Sequence, residues 1–153
     1  MKKEISVILH NVRSRENVGS IFRTADAAGV SKIYLCGITP TPPHEKISKT
    51  ALGAETYVPW ESYKQTARLI DKLKAQNEKL KIIALEQTKD SQNIFKFKPK
   101  YPLVLILGNE VKGLSPAILK KCDKKIAIPM YGQKESLNVA VAFGVAAYQL
   151  TSS

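Results

Sequence analysis

Four short aliphatic runs decide what this chain can become. Glu4–Leu9 (EISVIL), Lys32–Cys36 (KIYLC), Lys81–Leu85 (KIIAL) and Leu103–Leu107 (LVLIL) are too short for helices and nearly unbroken in apolar character. A strand with one wet face alternates apolar and polar residues, whereas a continuous run is covered on both sides. Between the runs the spacing becomes helical. In Asn17–Ala28, Ile21, Ala25 and Ala28 share a stripe with Phe22 beside it, and Gly29 supplies the stop. Glu61–Asn77 gathers Thr66, Leu69, Ile70 and Leu73 on one face and Lys64, Arg68, Asp71 and Lys72 on another. Ser48–Gly53 reads as a short helical turn and Thr56–Val58 as an extended piece. Ser115 with Pro116 opens a short helix to about Lys121, Lys125–Ile128 is a last strand and Asn138–Leu150 a last helix. Alternating strands and helices predict a three-layer α/β domain with a mostly parallel sheet.

The chain has 153 residues, enough for one domain that buries its own core without a staple. It is read as one domain over 1–153. Cys36 and Cys122 are far apart and outside any CxxC pattern, which argues against a disulfide framework and for a reducing, cytoplasmic setting. No apolar run is long enough to span a bilayer, and no signal peptide precedes the first strand. His10 and His44 lack Cys or His neighbours at ligand spacing, so no metal is expected. Lys and Arg total 24 against 13 Asp and Glu, a formal charge of +11. That excess, dense at Lys72–Lys81, Lys96–Lys100 and Lys120–Lys125, suits a phosphate polymer; no helix carries the aromatic face of a membrane binder.

Ligands of open α/β sheets bind beyond the carboxyl ends of the strands. Three strands here run into unusual polar sequence. His10 to Gly19 (HNVRSRENVG), continuing to Arg23, follows the first; Gly108 to Gly113 (GNEVKG) follows the fourth; Pro129 to Asn138 (PMYGQKESLN) follows the last. Asn17 fits as a helix N-cap, and Gly19 one turn before Arg23 would leave room for a phosphate at the guanidinium. Gly108 and Gly113 allow close backbone approach or positive φ, and Glu110 lies between them. Ser136 and Asn138 stand where the last helix begins. That helix is apolar on nearly every side and so belongs inside the domain or across a subunit interface. Neither GxxxxGK[ST] nor GxGxxG is present, so no P-loop or Rossmann nucleotide site is supported.

Taken in order, Asn17-Val18-Gly19-Ser20-Ile21-Phe22-Arg23, Gly108-Asn109-Glu110-Val111-Lys112-Gly113, and Ile128-Pro129-Met130 with Ser136-Leu137-Asn138 resemble the three motifs of the SpoU/TrmH family of SPOUT RNA methyltransferases. The resemblance covers nearly the whole chain. It implies a C-terminal trefoil knot, a homodimer with its catalytic site near the subunit interface, and S-adenosylmethionine held largely by backbone around Leu85, Gly108, Ile128, Met130, Ser136 and Leu137. The implied reaction is methyl transfer to a ribose 2′-hydroxyl of tRNA or rRNA. Arg23 would hold an RNA phosphate and stabilise developing oxyanion charge, with Asn17, Glu110, Ser136 and Asn138 positioning the reacting groups. The extra RNA-binding segment of many relatives is not found, so Arg13, Arg15, Arg23, Lys46 and Lys49 are expected to carry phosphate contacts. The competing reading is a basic RNA-binding protein that keeps the knotted fold without turnover.

Overall fold

The computed structural model describes residues 3–153. Seven strands, β1 (Ile5–His10), β2 (Lys32–Cys36), β3 (Trp60–Tyr63), β4 (Lys81–Leu85), β5 (Gln92–Asn93), β6 (Leu103–Leu107) and β7 (Lys124–Ala127), form one sheet in the order β3-β2-β1-β6-β4-β7-β5. Every pairing is parallel. All five residues of β6 are buried, as a continuous aliphatic run at a sheet centre requires.

The helices cover both faces. On one, α1 (Arg15–Ala28), α2 (Glu45–Ala51) and α5 (Val139–Ser152) pack over Val7, Leu9, Leu105 and Leu107. On the other, α3 (Thr66–Gln76) and α4 (Pro116–Lys120) pack over Ile8, Val104 and Ile106. The side-chain alternation of β1 and β6 thus feeds two cores from one sheet.

The C-terminal crossing follows from those layers. α4, before β7, lies on the α3 face, and α5, after it, lies on the α1 face. Between them β7 runs in the sheet with β4 on one side and β5 on the other. Because β5 belongs to the 86–102 loop that returns to β6, the chain passes from one face to the other inside that loop. This is the threading of the α/β-knot class that the resemblance to the SPOUT methyltransferases implies.

Several expectations need correction. Thr56–Val58 is not the extended piece: Ala54–Thr56 form a 3-10 turn and the strand is Trp60–Tyr63. Residues 61–63 therefore leave the expected long helix, which begins at Thr66. The turn expected from Ser48 is the end of α2, which starts at Glu45. Ser14, not Asn17, caps α1, its hydroxyl accepting from the Asn17 amide at 3.1 Å. In α5, Phe143, Ala146, Ala147 and Leu150 are buried, but Val141 and Tyr148 are 53% and 51% exposed, so the domain core covers only part of its apolar surface.

Candidate active site at the knotted edge

Register sets the site. Leu9 of β1 pairs with Leu107 of β6, and Ile106 pairs with Ala84 of β4. Leu85 in turn pairs with Ile126 of β7. The four strands end at one level, so the loops that follow them emerge side by side.

Glu110 ties those loops together. Its Oε1 accepts the Arg13 amide at 2.9 Å, and its Oε2 accepts the Ser14 amide at 2.9 Å and Asn17 Nδ2 at 3.3 Å. Asn138 Nδ2 donates to Asn17 Oδ1 at 3.2 Å, while Asn138 Oδ1 caps α5 by accepting from Ala140 and Val141. The polarity of this chain is self-consistent. The α5 amides can only donate, so Asn138 Oδ1 faces them, its NH2 faces Asn17, and the Asn17 NH2 is left for the carboxylate. One residue from each motif is thereby locked to the next. Partial burial pushes the Glu110 carboxyl up, but the Arg13 and Ser14 amides, its own amide and Asn17 outweigh that and hold it below its ordinary range.

The glycines of the second loop serve close approach. A Cβ on Gly108 would lie 2.5 Å from the carbonyl carbon of Gly113, and one on Gly113, at φ 64°, would lie 2.3 Å from Glu86 Oε2. That carboxylate oxygen accepts the Leu114 amide at 2.6 Å. Asn109 completes the turn: its Oδ1 accepts the Val111 and Lys112 amides and its Nδ2 donates to the Asn11 carbonyl.

Two hollows flank Glu110. The first is walled by apolar Leu85, Leu107, Ile128 and Leu137 together with the two glycines. Its charged wall residues are Glu86 and Glu110, with no Lys or Arg among the described residues that line it. Walls that are part apolar and part polar suit an organic ligand with both kinds of surface, and the anionic lining in so basic a chain suits one with positive charge. S-adenosylmethionine, an adenosyl group joined to a sulfonium, fits both conditions. The second hollow is wider and bears Arg13 and Lys112 beside His10, Asn11, Ser14 and Asn17. His10 is half-buried, its Nδ1 2.6 Å from Thr66 Oγ1, and burial lowers its pKa. Asn109, Glu110, Val111 and Gly113 are shared by both hollows.

Most expected site residues meet here. Leu85, Gly108, Glu110, Ile128, Ser136, Leu137 and Asn138 line the first hollow, and Arg13 and Asn17 the second. Met130 lines neither, and Ser136 makes no hydrogen bond among the described residues. Arg15 and Lys46 are exposed in the first turns of α1 and α2, and Lys49 is exposed in the last turn of α2. Arg23 is exposed on α1 outside both hollows, with no polar partner among the described residues. Gly19 does not clear space for a phosphate. It is buried against α2, where a Cβ would lie 1.9 Å from Thr50 Oγ1 and 2.3 Å from the Ile47 carbonyl oxygen. The sequence reading missed Glu86, Asn109 and Gln87, whose Nε2 donates to the Ile128 carbonyl at 2.8 Å. A carboxylate directly after an aliphatic run, as at Glu86, is the one signal that pointed there.

Comparison with known proteins agrees with this geometry. The SpoU rRNA Methylase family model matches residues 4–148. The tRNA (guanosine(18)-2′-O)-methyltransferase of Aquifex aeolicus is 36% identical over 149 residues, covering 97% of this chain and 69% of its own length. The 23S rRNA (guanosine(2553)-2′-O)-methyltransferase RlmP of Bacillus subtilis is 34% identical over 144 residues, covering 94% of this chain and 56% of its own. The SpoU methyltransferase AviRb of Streptomyces viridochromogenes, solved in complex with the cofactor AdoMet, superposes with a TM-score of 0.90 at 26% identity, covering 99% of this chain and 61% of that one. Fold, locked motifs and family match converge: the chain belongs to the SpoU rRNA methylase family.

Proposed function

We propose that this protein is an S-adenosylmethionine-dependent methyltransferase acting on a ribose 2′-hydroxyl of tRNA or rRNA. The observation that carries the reading is the Glu110–Asn17–Asn138 chain, which fixes three loops around a carboxylate-walled cavity beside a cationic hollow. When bound, the cofactor supplies an electrophilic methyl group on a sulfonium. The protein's part is to aim and to shield. Leu85, Leu107, Ile128 and Leu137 exclude water from the cavity, while Gly108 and Gly113 bring backbone close to the ligand. Placing hydroxyl oxygen, methyl and sulfur in line is worth several kcal/mol of barrier. Arg13 and Lys112 bring cationic charge to the hollow where a phosphodiester would run.

Arg23 is assigned the role of holding the adjacent phosphate and stabilising the developing oxyanion. Its place outside both hollows of its own chain supports a site completed by a second copy. Exposed Val141 and Tyr148 on α5 support that homodimer, and Leu137 carries the apolar surface to the mouth of the cavity. Lys46, Lys49 and Arg15 extend the phosphate-contacting surface. Two free cysteines, with burial pushing both thiols up to about 11, suit a cytoplasmic protein. No helix of the described residues is long and apolar enough to cross a membrane.

The test is transfer of labelled methyl from S-adenosylmethionine into total tRNA and rRNA. Alkali-resistant dinucleotides carrying the label are expected; label confined to bases would overturn the reading. A binder without turnover would instead give no calorimetric heat with the cofactor.

A further inference from the structure

The first hollow carries a charge pattern opposite to that of the molecule. The chain has a net charge of +11, yet the charged groups lining the cavity are two carboxylates. The two are not equivalent. Glu110 is turned toward the first loop and spends its oxygens on two amides and Asn17. Glu86 takes one short bond, from the Leu114 amide at 2.6 Å, and one long bond, from the Gln87 amide at 3.3 Å. Most of its hydrogen-bonding capacity remains. Its position is fixed, because Gly113 presses against Oε2 so closely that a Cβ would lie 2.3 Å away. An anion is thus held between two cavity loops, with no cation among the residues of that wall.

We infer that Glu86 is a specificity-determining residue that makes the cavity discriminate by charge, holding the sulfonium cofactor more tightly than its thioether product. The inference rests on the methyl-transfer reading. As the methyl passes to oxygen, the S–CH3 bond breaks with its electron pair left on sulfur, the O–CH3 bond forms, and the hydroxyl proton departs to solvent. The ligand in the cavity loses one positive charge while Glu86 keeps its negative one. The same carboxylate that favours loading therefore gives no extra hold on S-adenosylhomocysteine, which eases exchange of product for fresh cofactor.

Calorimetry with three ligands tests this: S-adenosylmethionine, S-adenosylhomocysteine, and sinefungin, whose protonated amine replaces the methylsulfonium. Glu86→Gln keeps the side-chain shape and a carbonyl oxygen for the Leu114 amide but removes the charge. Two unit charges several ångströms apart in a partly wet cavity predict about tenfold weaker binding of the two cationic ligands. S-adenosylhomocysteine should change less than about twofold. Equal weakening of all three would reduce Glu86 to a loop-shaping role and overturn the inference, as would no change in any. The wild-type protein gives a second measurement that does not depend on the variant folding. Raising salt should weaken the cationic ligands more than the neutral-sulfur one, and parallel salt dependence also overturns the inference. Absence of S-adenosylmethionine binding to the wild type would instead refute the methyl-transfer reading itself.

Discussion

At the scale of single residues, the site divides into groups that hold loops and groups that meet substrate. Arg23 is proposed for the second class: its side chain is exposed and has no polar partner among the described residues. Arg23→Ala should lower the methylation rate by roughly 100-fold or more while leaving calorimetric affinity for S-adenosylmethionine nearly intact. Near-normal turnover would remove its assigned role. Glu110 is in the first class, and its pH behaviour follows from its bonding. Its folded-state pKa lies below the unfolded one, so the stability it contributes is present above the ordinary carboxylate range. That stability is lost as the pH falls through the depressed folded value. Glu110→Gln should therefore be less stable than wild type at neutral pH, with the gap closing under acid, as read by melting temperature across a pH series. The resemblance to the family motifs singled out Asn17, Glu110 and Asn138 as candidates. It did not show that the three touch, since the contact spans 121 residues between Asn17 and Asn138.

At the scale of elements, legibility followed burial. β2, β4 and β6 stand where their aliphatic runs end, because a strand buried on both faces leaves no polar residue to blur its limits. β3 was hidden for the converse reason. Trp60–Tyr63 is an edge strand whose residues are only partly buried, and its polar Glu61 and Ser62 continue the helical pattern of α3. The N-cap of α1 was misplaced for a local reason: Ser14 and Asn17 are both capping types three residues apart, and only the bond from the Asn17 amide to Ser14 Oγ decides between them. Gly19 was misjudged because sequence shows that a glycine leaves space but not what fills it. Here α2 fills it, through Thr50, whose hydroxyl also donates to the Glu16 carbonyl at 2.9 Å. Gly19→Val should push α1 and α2 apart and cost about 1–3 kcal/mol, measured by denaturant unfolding. An unchanged midpoint would mean the helices can separate freely.

At the scale of the whole molecule, the positive charge is not evenly available. The sequence marks Lys72–Lys81 and Lys120–Lys125 as dense groups, but several of their lysines are already engaged. Lys121 meets Asp71 at 2.9 Å, Lys125 meets Asp90 at 2.7 Å, and Lys74 meets Asp123 at 3.3 Å. No such acid pairs Arg13, Lys46 or Lys49 among the described residues, so the double charge reversal Lys46→Glu and Lys49→Glu should weaken RNA binding. Each lost phosphate contact should also flatten the salt slope by about one. Assembly bears on the reaction more directly. Asn138 lines its own chain's cavity, whereas Arg23 lies outside both hollows of that chain. If a two-fold dimer brings Arg23 of one copy to the cavity of the other, Arg23→Ala and Asn138→Ala break different halves of each site. Co-refolding equal amounts of the two inactive variants then yields mixed dimers in half the population. Each mixed dimer has one site with both defects and one with neither, so about a quarter of wild-type activity should return. A site built within a single chain gives every protomer one defect and no recovery, and that result would place Arg23 and Asn138 in the same subunit's chemistry.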